Sequence, residues 1–133
     1  MNPYYSRVAE RAGHRCEYCL APESVFNFPF EVEHIVPLSL KGTNDETNLA
    51  LSCRSCNLRK GVSIQGREDD SDSDVRFFHP RKDRWYEHFR ADTDSGQLIG
   101  TTPIGVVTIK CLKMNSVAQV TARRLWIQLG LFP

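Results

Sequence analysis

Apolar positions along this chain change period several times, and each change marks an element. Tyr5, Val8, Ala9 and Ala12 recur at spacings of three and four. They predict a short helix over 4–12, with Asn2 as N-cap, Pro3 at the first helical position and Gly13 at the end. Phe26, Phe28 and Phe30 alternate with Asn27 and Pro29, the period of a strand, and read as core. A strand then runs from Phe30 to Val36 through Glu31, Glu33 and His34, and stops at Pro37, which has no N–H to give a ladder. Lys41-Gly42 and Asn44-Asp45 mark turns in a polar connection. Residues 48–51 read as a second short strand, and a helix starting within Cys53–Cys56 runs to about Gly61. The order is strand, loop, strand, helix.

From Val62 to Asp74 the chain is polar, acid-rich and without periodicity, as expected of a surface loop or mobile linker. Residues 75–89 interleave Arg76, Arg81, Lys82 and Arg84 with Phe77, Phe78, Trp85, Tyr86 and Phe89. Such a mix clamps phosphates and stacks on bases, or else docks the segment on the core. Residues 92–96 have hairpin-turn composition, so 89–91 should pair with 97–101. Thr102-Pro103 opens a helix to about Met114, against the β-branched residues between Ile104 and Ile109; Cys111 reads as a small core residue. Asn115 caps a last helix over 116–129, with Val117, Val120, Leu125 and Leu129 near one face. The organisation predicted is a unit over 1–66, an acidic loop over 67–75, and a basic, aromatic and helical extension over 76–133 that packs on it.

Composition narrows this only a little. A hydrophobic share of 41% and a charged share of 25% are ordinary for a soluble domain, and 133 residues bury a modest core that a structural metal would help. The apolar run from Ile104 to Ile109 falls far short of the ~20 residues that cross a bilayer. The N-terminus lacks the pattern of a signal peptide, so the expectation is a cytoplasmic, reducing compartment. The net charge of +1 hides an asymmetry: residues 68–74 hold five acids, whereas 76–133 carry nine Lys/Arg against four Asp/Glu. A basic half suits a polyanion, although a solvated face reads the same way.

In a reducing compartment Cys16-x-x-Cys19 and Cys53-x-x-Cys56 are metal ligands before they are disulfides. Each pair can wrap one side of a tetrahedral zinc ion. The 33 residues between them fit a single site if a compact hairpin fills the interval. Paired disulfides and an iron–sulfur cluster are the alternatives. With four cysteines filling the shell, His14 is expected at the surface or behind the ligands.

Glu33-His34-Ile35-Val36-Pro37, then Asn48-Leu49, then Cys53-x-x-Cys56-Asn57-Leu58-Arg59-Lys60-Gly61 resembles the HNH endonuclease motif with its zinc-binding cysteines. The matching residues span about 13 to 61. The resemblance implies a ββα-metal (His-Me finger) core; with the elements read from the pattern, the fold expected is α+β, that core with a four-cysteine zinc site, flanked by an N-terminal helix and a C-terminal extension of a small hairpin and two helices. The resemblance also implies hydrolysis of nucleic-acid phosphodiesters, with DNA the expected substrate and RNA also compatible; a bacterial or phage origin is expected, with the cytoplasmic compartment taken from the N-terminus.

Hydrolysis of a phosphodiester needs an activated water, neutralisation of the phosphate and stabilisation of the leaving alkoxide. Histidine as a residue type titrates near neutrality, so His34 is the candidate general base. A hard cation such as Mg2+ or Mn2+ takes oxygen ligands, and Glu33 and Asn57 offer a carboxylate and an amide oxygen. Adjacent strand residues point to opposite faces, so a regular strand cannot aim both Glu33 and His34 at one ion. The resemblance implies that the pair sits at the strand end and approaches the phosphate from two sides. It also implies that Asn48 bonds the backbone of the intervening loop and holds His34. Family members most often carry Asp where this chain has Glu33; Glu31 could assist. Arg54, Arg59, Lys60, Arg81, Lys82 and Arg84 are the candidate nucleic-acid contacts, while His79 and His88 are expected to pack.

Two other readings compete. A non-catalytic zinc-stabilised nucleic-acid-binding module would need the cysteines and the basic surface but not His34, Asn48 and Asn57 together. A thiol-redox protein would need an exposed cysteine of low pKa. A homodimer or a protein partner supplying specificity is compatible with so small a nuclease, although no coiled-coil pattern points to one.

Overall fold

The structure, a computed structural model, describes residues 2–133. Its centre is a two-stranded antiparallel ribbon with a helix against it. Strand β1 (Glu31–His34) pairs with β2 (Leu49–Ser52) in the register Glu31 to Ser52 and His34 to Leu49. Helix α2 (Arg54–Lys60) follows after a single residue, Cys53, whose sulfur accepts from the N–H of Cys56 and caps the helix. Gly61, at φ +52°, ends it. This strand–loop–strand–helix order is a ββα unit.

Every residue of β2 is buried, because α1 (Tyr5–Arg11) and β1 cover it. Helix α1 presents Val8 and Ala9 to the core. It starts later than expected: the Asn2 side chain accepts from Tyr4 N–H in a turn that precedes the helix. β1 is also shorter than expected. Phe26 and Phe28 belong to no strand; Phe30 is buried, Phe26 lies edge-on to it, and Phe28 is exposed.

The stretch 62–74 is not free chain. Strand β3 (Gln65–Gly66) pairs with β4 (Val75–Arg76), and the acidic turn between them is tied by Arg67 to Asp74 and by Lys110 to Asp69. Most aromatics of 75–89 dock the segment on the core. Phe77, Phe78 and Phe89 are buried, Trp85 donates its indole N–H to the Tyr18 carbonyl at 2.8 Å, and only Tyr86 stands largely in solvent. Helix α3 (Trp85–His88) leads into β5 (Phe89–Ala91), which pairs with β6 (Leu98–Gly100) as the turn composition requires.

Helices α4 (Pro103–Cys111) and α5 (Val117–Gln128) complete the chain. Thr102 caps α4 and Ser116 caps α5. Asn115, expected as that cap, instead bonds both the N–H and the carbonyl of Leu98 at 2.8 Å. α5 is turned away from its expected face: Val117, Leu125 and Leu129 are exposed, and the residues it buries are Gln119 and Arg123. One apolar core runs from Val8 to Met114 through both halves of the chain. No helix among the described residues is long and apolar enough to cross a membrane.

Candidate metal centre and active-site groove

The two cysteine pairs meet. The first follows α1 in a tight turn, and the second straddles the junction of β2 and α2. Their four sulfurs lie within 4.8 Å of one another, all buried, with Cys19 Sγ and Cys53 Sγ 3.7 Å apart. Zinc–sulfur bonds of about 2.3 Å at tetrahedral angles place sulfurs about 3.8 Å apart, so the donor set has the size and chemistry of a zinc tetrathiolate. All five cysteines are free thiols rather than disulfides, and none of the four in the cluster is exposed.

The thiols cannot all ionise alone. Hydrogen bonds from the other three cysteines pull Cys19 well below the ordinary thiol range, whereas Cys16 and Cys19 push Cys53 and Cys56 up. A divalent cation removes that repulsion. His14 is not among the ligands. Its Nδ1 lies 2.7 Å from Glu23 Oε1. Glu23 also accepts from Tyr5 O–H at 2.8 Å and Phe30 N–H at 2.7 Å, which ties α1, the first cysteine turn and the approach to β1 at one buried carboxylate.

An open groove of about 410 Å³ is lined by Glu33, His34, Asn57 and the apolar Val32, Leu38 and Val62. His34 is the last residue of β1, where the pleat ends, so it and Glu33 border the same groove from different directions. His34 Nε2 lies 2.8 Å from Asn44 Oδ1. An amide oxygen only accepts, so this bond puts the proton on Nε2 and, in the neutral ring, leaves Nδ1 as the basic nitrogen. Asn48 is buried. Its Oδ1 accepts from Val36 N–H at 2.9 Å, and its Nδ2 donates to the carbonyls of Val36 and Thr43 at 2.9 Å each. Gly42 closes the same loop, where any Cβ would overlap the Val36 carbonyl.

Glu33 turns inward. Tyr18 O–H donates to its Oε1, and Lys60 Nζ lies 3.1 Å from its Oε2. Burial pushes the Glu33 carboxyl above its ordinary range, against the pull of Lys60 and Tyr18. Burial also pushes Tyr18 well up, and Glu33 adds to it. Glu31, by contrast, is exposed and borders a separate cleft beside Tyr5 and Phe28.

Two of the expected nucleic-acid contacts are corrected here. Lys60 is 2% exposed and spends its donors on Glu33 and on the carbonyls of His34, at 3.3 Å, and Ile35, at 2.9 Å. Arg81 is half-buried and paired with Glu17. Arg54, Arg59, Lys82 and Arg84 are exposed. His79 and His88 pack: His79 accepts from Arg81 N–H, and His88 bonds Thr102. Sequence reasoning missed Tyr18, Glu23 and Asn44. Tyr18 sits between the first two cysteines, which was a usable signal; Glu23 and Asn44 had none beyond their turn-prone neighbours.

Residues 16–63 match the family model described as HNH endonuclease. No curated protein and no solved structure matches the chain.

Proposed function

We propose, from the match of residues 16–63 to the HNH endonuclease family, that this protein is a metal-dependent endonuclease that hydrolyses DNA phosphodiester bonds. One observation carries the reading: Glu33, His34 and Asn57, from the strand and the helix of the ββα unit, line one open groove. A groove open to solvent admits a phosphodiester backbone, which a closed pocket would not.

His34 is the general base. Nδ1 takes the proton of the attacking water while Asn44 holds Nε2–H. Asn48 clamps the backbone at Val36 and Thr43, so the ring that precedes this loop keeps its place. A hard divalent cation, Mg2+ or Mn2+, held by Glu33 and Asn57 would supply Lewis acidity at the phosphate and stabilise the leaving oxygen. The donor types fit such an ion, but Glu33 shares its charge with Lys60, so cation affinity at this carboxylate is set against a resident ammonium. Arg54 and Arg59, exposed on the helix that carries Asn57, are the proposed phosphate contacts, together with the exposed Lys82 and Arg84.

The inward turn of Glu33 favours a second reading, a zinc-stabilised nucleic-acid-binding module without catalysis. Supercoiled plasmid incubated with Mg2+ or Mn2+, beside an EDTA control and the His34→Ala protein, separates the two. Metal-dependent nicking or linearisation that disappears in His34→Ala is expected. Inactivity of both proteins, with DNA binding that weakens steeply with salt, would leave the binding module.

A further inference from the structure

Helix α5 meets the four-cysteine cluster at Cys53. Ala118, Gln119, Ala122 and Trp126 line a cavity of about 200 Å³ together with Cys53 and Ser55, and Trp126 packs near Phe26. The helix buries two polar side chains on this side, Gln119 at 7% exposure and Arg123 at 0%. They are four residues apart and therefore neighbours on one helix face.

Arg123 is a buried cation with no carboxylate partner among the described residues. Its Nη1 donates to the Gly96 carbonyl and its Nη2 to the Met114 carbonyl, each at 2.8 Å. These bonds satisfy donors but bring no negative charge. Its Nε has no partner, and neither does Gln119 Nε2. An uncompensated guanidinium in the interior is costly, so such a charge is expected to have negative charge nearby. The anionic groups that bear on Arg123 are the cysteines: burial lowers its pKa, and Cys19, Cys56, Cys53 and Cys16 raise it by less. Zinc held by four thiolates carries two net negative charges in the same buried region.

We propose that Arg123, with Gln119 one helical turn before it, is the counter-charge of the metal–thiolate cluster, so that the C-terminal helix is part of the metal centre. The proposal rests on the four cysteines holding zinc. The C-terminal extension then has a physical role, which is to supply from outside the ββα unit a fully buried positive charge; the knuckles' own Arg15 and Arg54 are half-buried and exposed.

The test uses the full chain as wild type, Arg123→Met and Arg123→Lys. Zinc content is measured by elemental analysis, and zinc release is timed against a chromophoric chelator. Outer-shell partners typically set metal affinity by 10–100-fold, so Arg123→Met should release zinc roughly ten times faster or more, and Arg123→Lys, which keeps the charge, within about threefold of wild type. A folded Arg123→Met that releases zinc at the wild-type rate would overturn the proposal. So would an Arg123→Lys as fast as Arg123→Met, because the carbonyl bonds rather than the charge would then matter. If Arg123→Met does not fold, hydrogen exchange of the wild type decides: chelating zinc should deprotect residues 117–128 more than residues 103–111, and equal deprotection would overturn the idea. Wild-type protein that retains no zinc would refute the metal reading itself, and the proposal with it.

Discussion

Replacing Lys60 by Met tests how the groove is built. Methionine keeps most of the apolar stem, so the change is chiefly the loss of the ammonium. Three contacts go with it: to Glu33 at 3.1 Å and to the carbonyls of His34 and Ile35 at 3.3 and 2.9 Å. Glu33, 6% exposed, is left with the Tyr18 hydroxyl alone. Breaking a buried pair from one side costs about 3–5 kcal/mol. The variant has a cheaper route, which is to protonate Glu33. From the ordinary carboxyl value of 4.5, that costs about 3.4 kcal/mol at pH 7, at about 1.36 kcal/mol for each pH unit. The expected destabilisation at pH 7 is therefore about 3–4 kcal/mol. The sign of the pH dependence follows. Without Lys60 the folded-state pKa of Glu33 rises further above its unfolded value, so the variant recovers as pH falls and loses stability as pH rises towards that folded value. Urea unfolding of zinc-loaded wild type and Lys60→Met at pH 5 and pH 7 measures this. A difference below about 1 kcal/mol at pH 7, or one that does not shrink by pH 5, would refute the buried-pair account.

Asn48→Ala removes three hydrogen bonds at about 1 kcal/mol each, and should cost about 3 kcal/mol in urea unfolding. In the plasmid assay its cleavage should fall towards that of His34→Ala, because the loop that follows the base loses its clamp. At Glu23, burial pushes the carboxyl up, but Phe30 N–H, His14 and Tyr5 together hold it below 4.5. Its contribution is full above 4.5 and is lost as pH falls through the lower folded value, so Glu23→Gln should narrow its deficit against wild type at acid pH, and a constant deficit would contradict this.

The parts of this protein legible from sequence are those set by near neighbours in the chain. The Cys-x-x-Cys spacings, the strand that Pro37 follows and that carries Glu33 and His34, the Gly61 stop and the 89–100 hairpin are each written within a few residues. The pairing of Cys19 with Cys53 could be inferred because a metal demands four donors at one point, whatever lies between them. Where the reading failed, the deciding contact was distant. Lys60 looked like a phosphate contact because helix composition does not reveal that its ammonium meets a strand 25 or more residues back. α5 looked amphipathic around Val117 and Leu125, yet the face it buries is set by what waits beneath it, the cavity it shares with Cys53 and the carbonyls of Gly96 and Met114. Sequence by itself determined which four cysteines cluster, the ββα order and the identity of the groove-lining histidine. Tertiary structure decided which charges face inward, because a buried charge takes its place from partners that only the fold brings near.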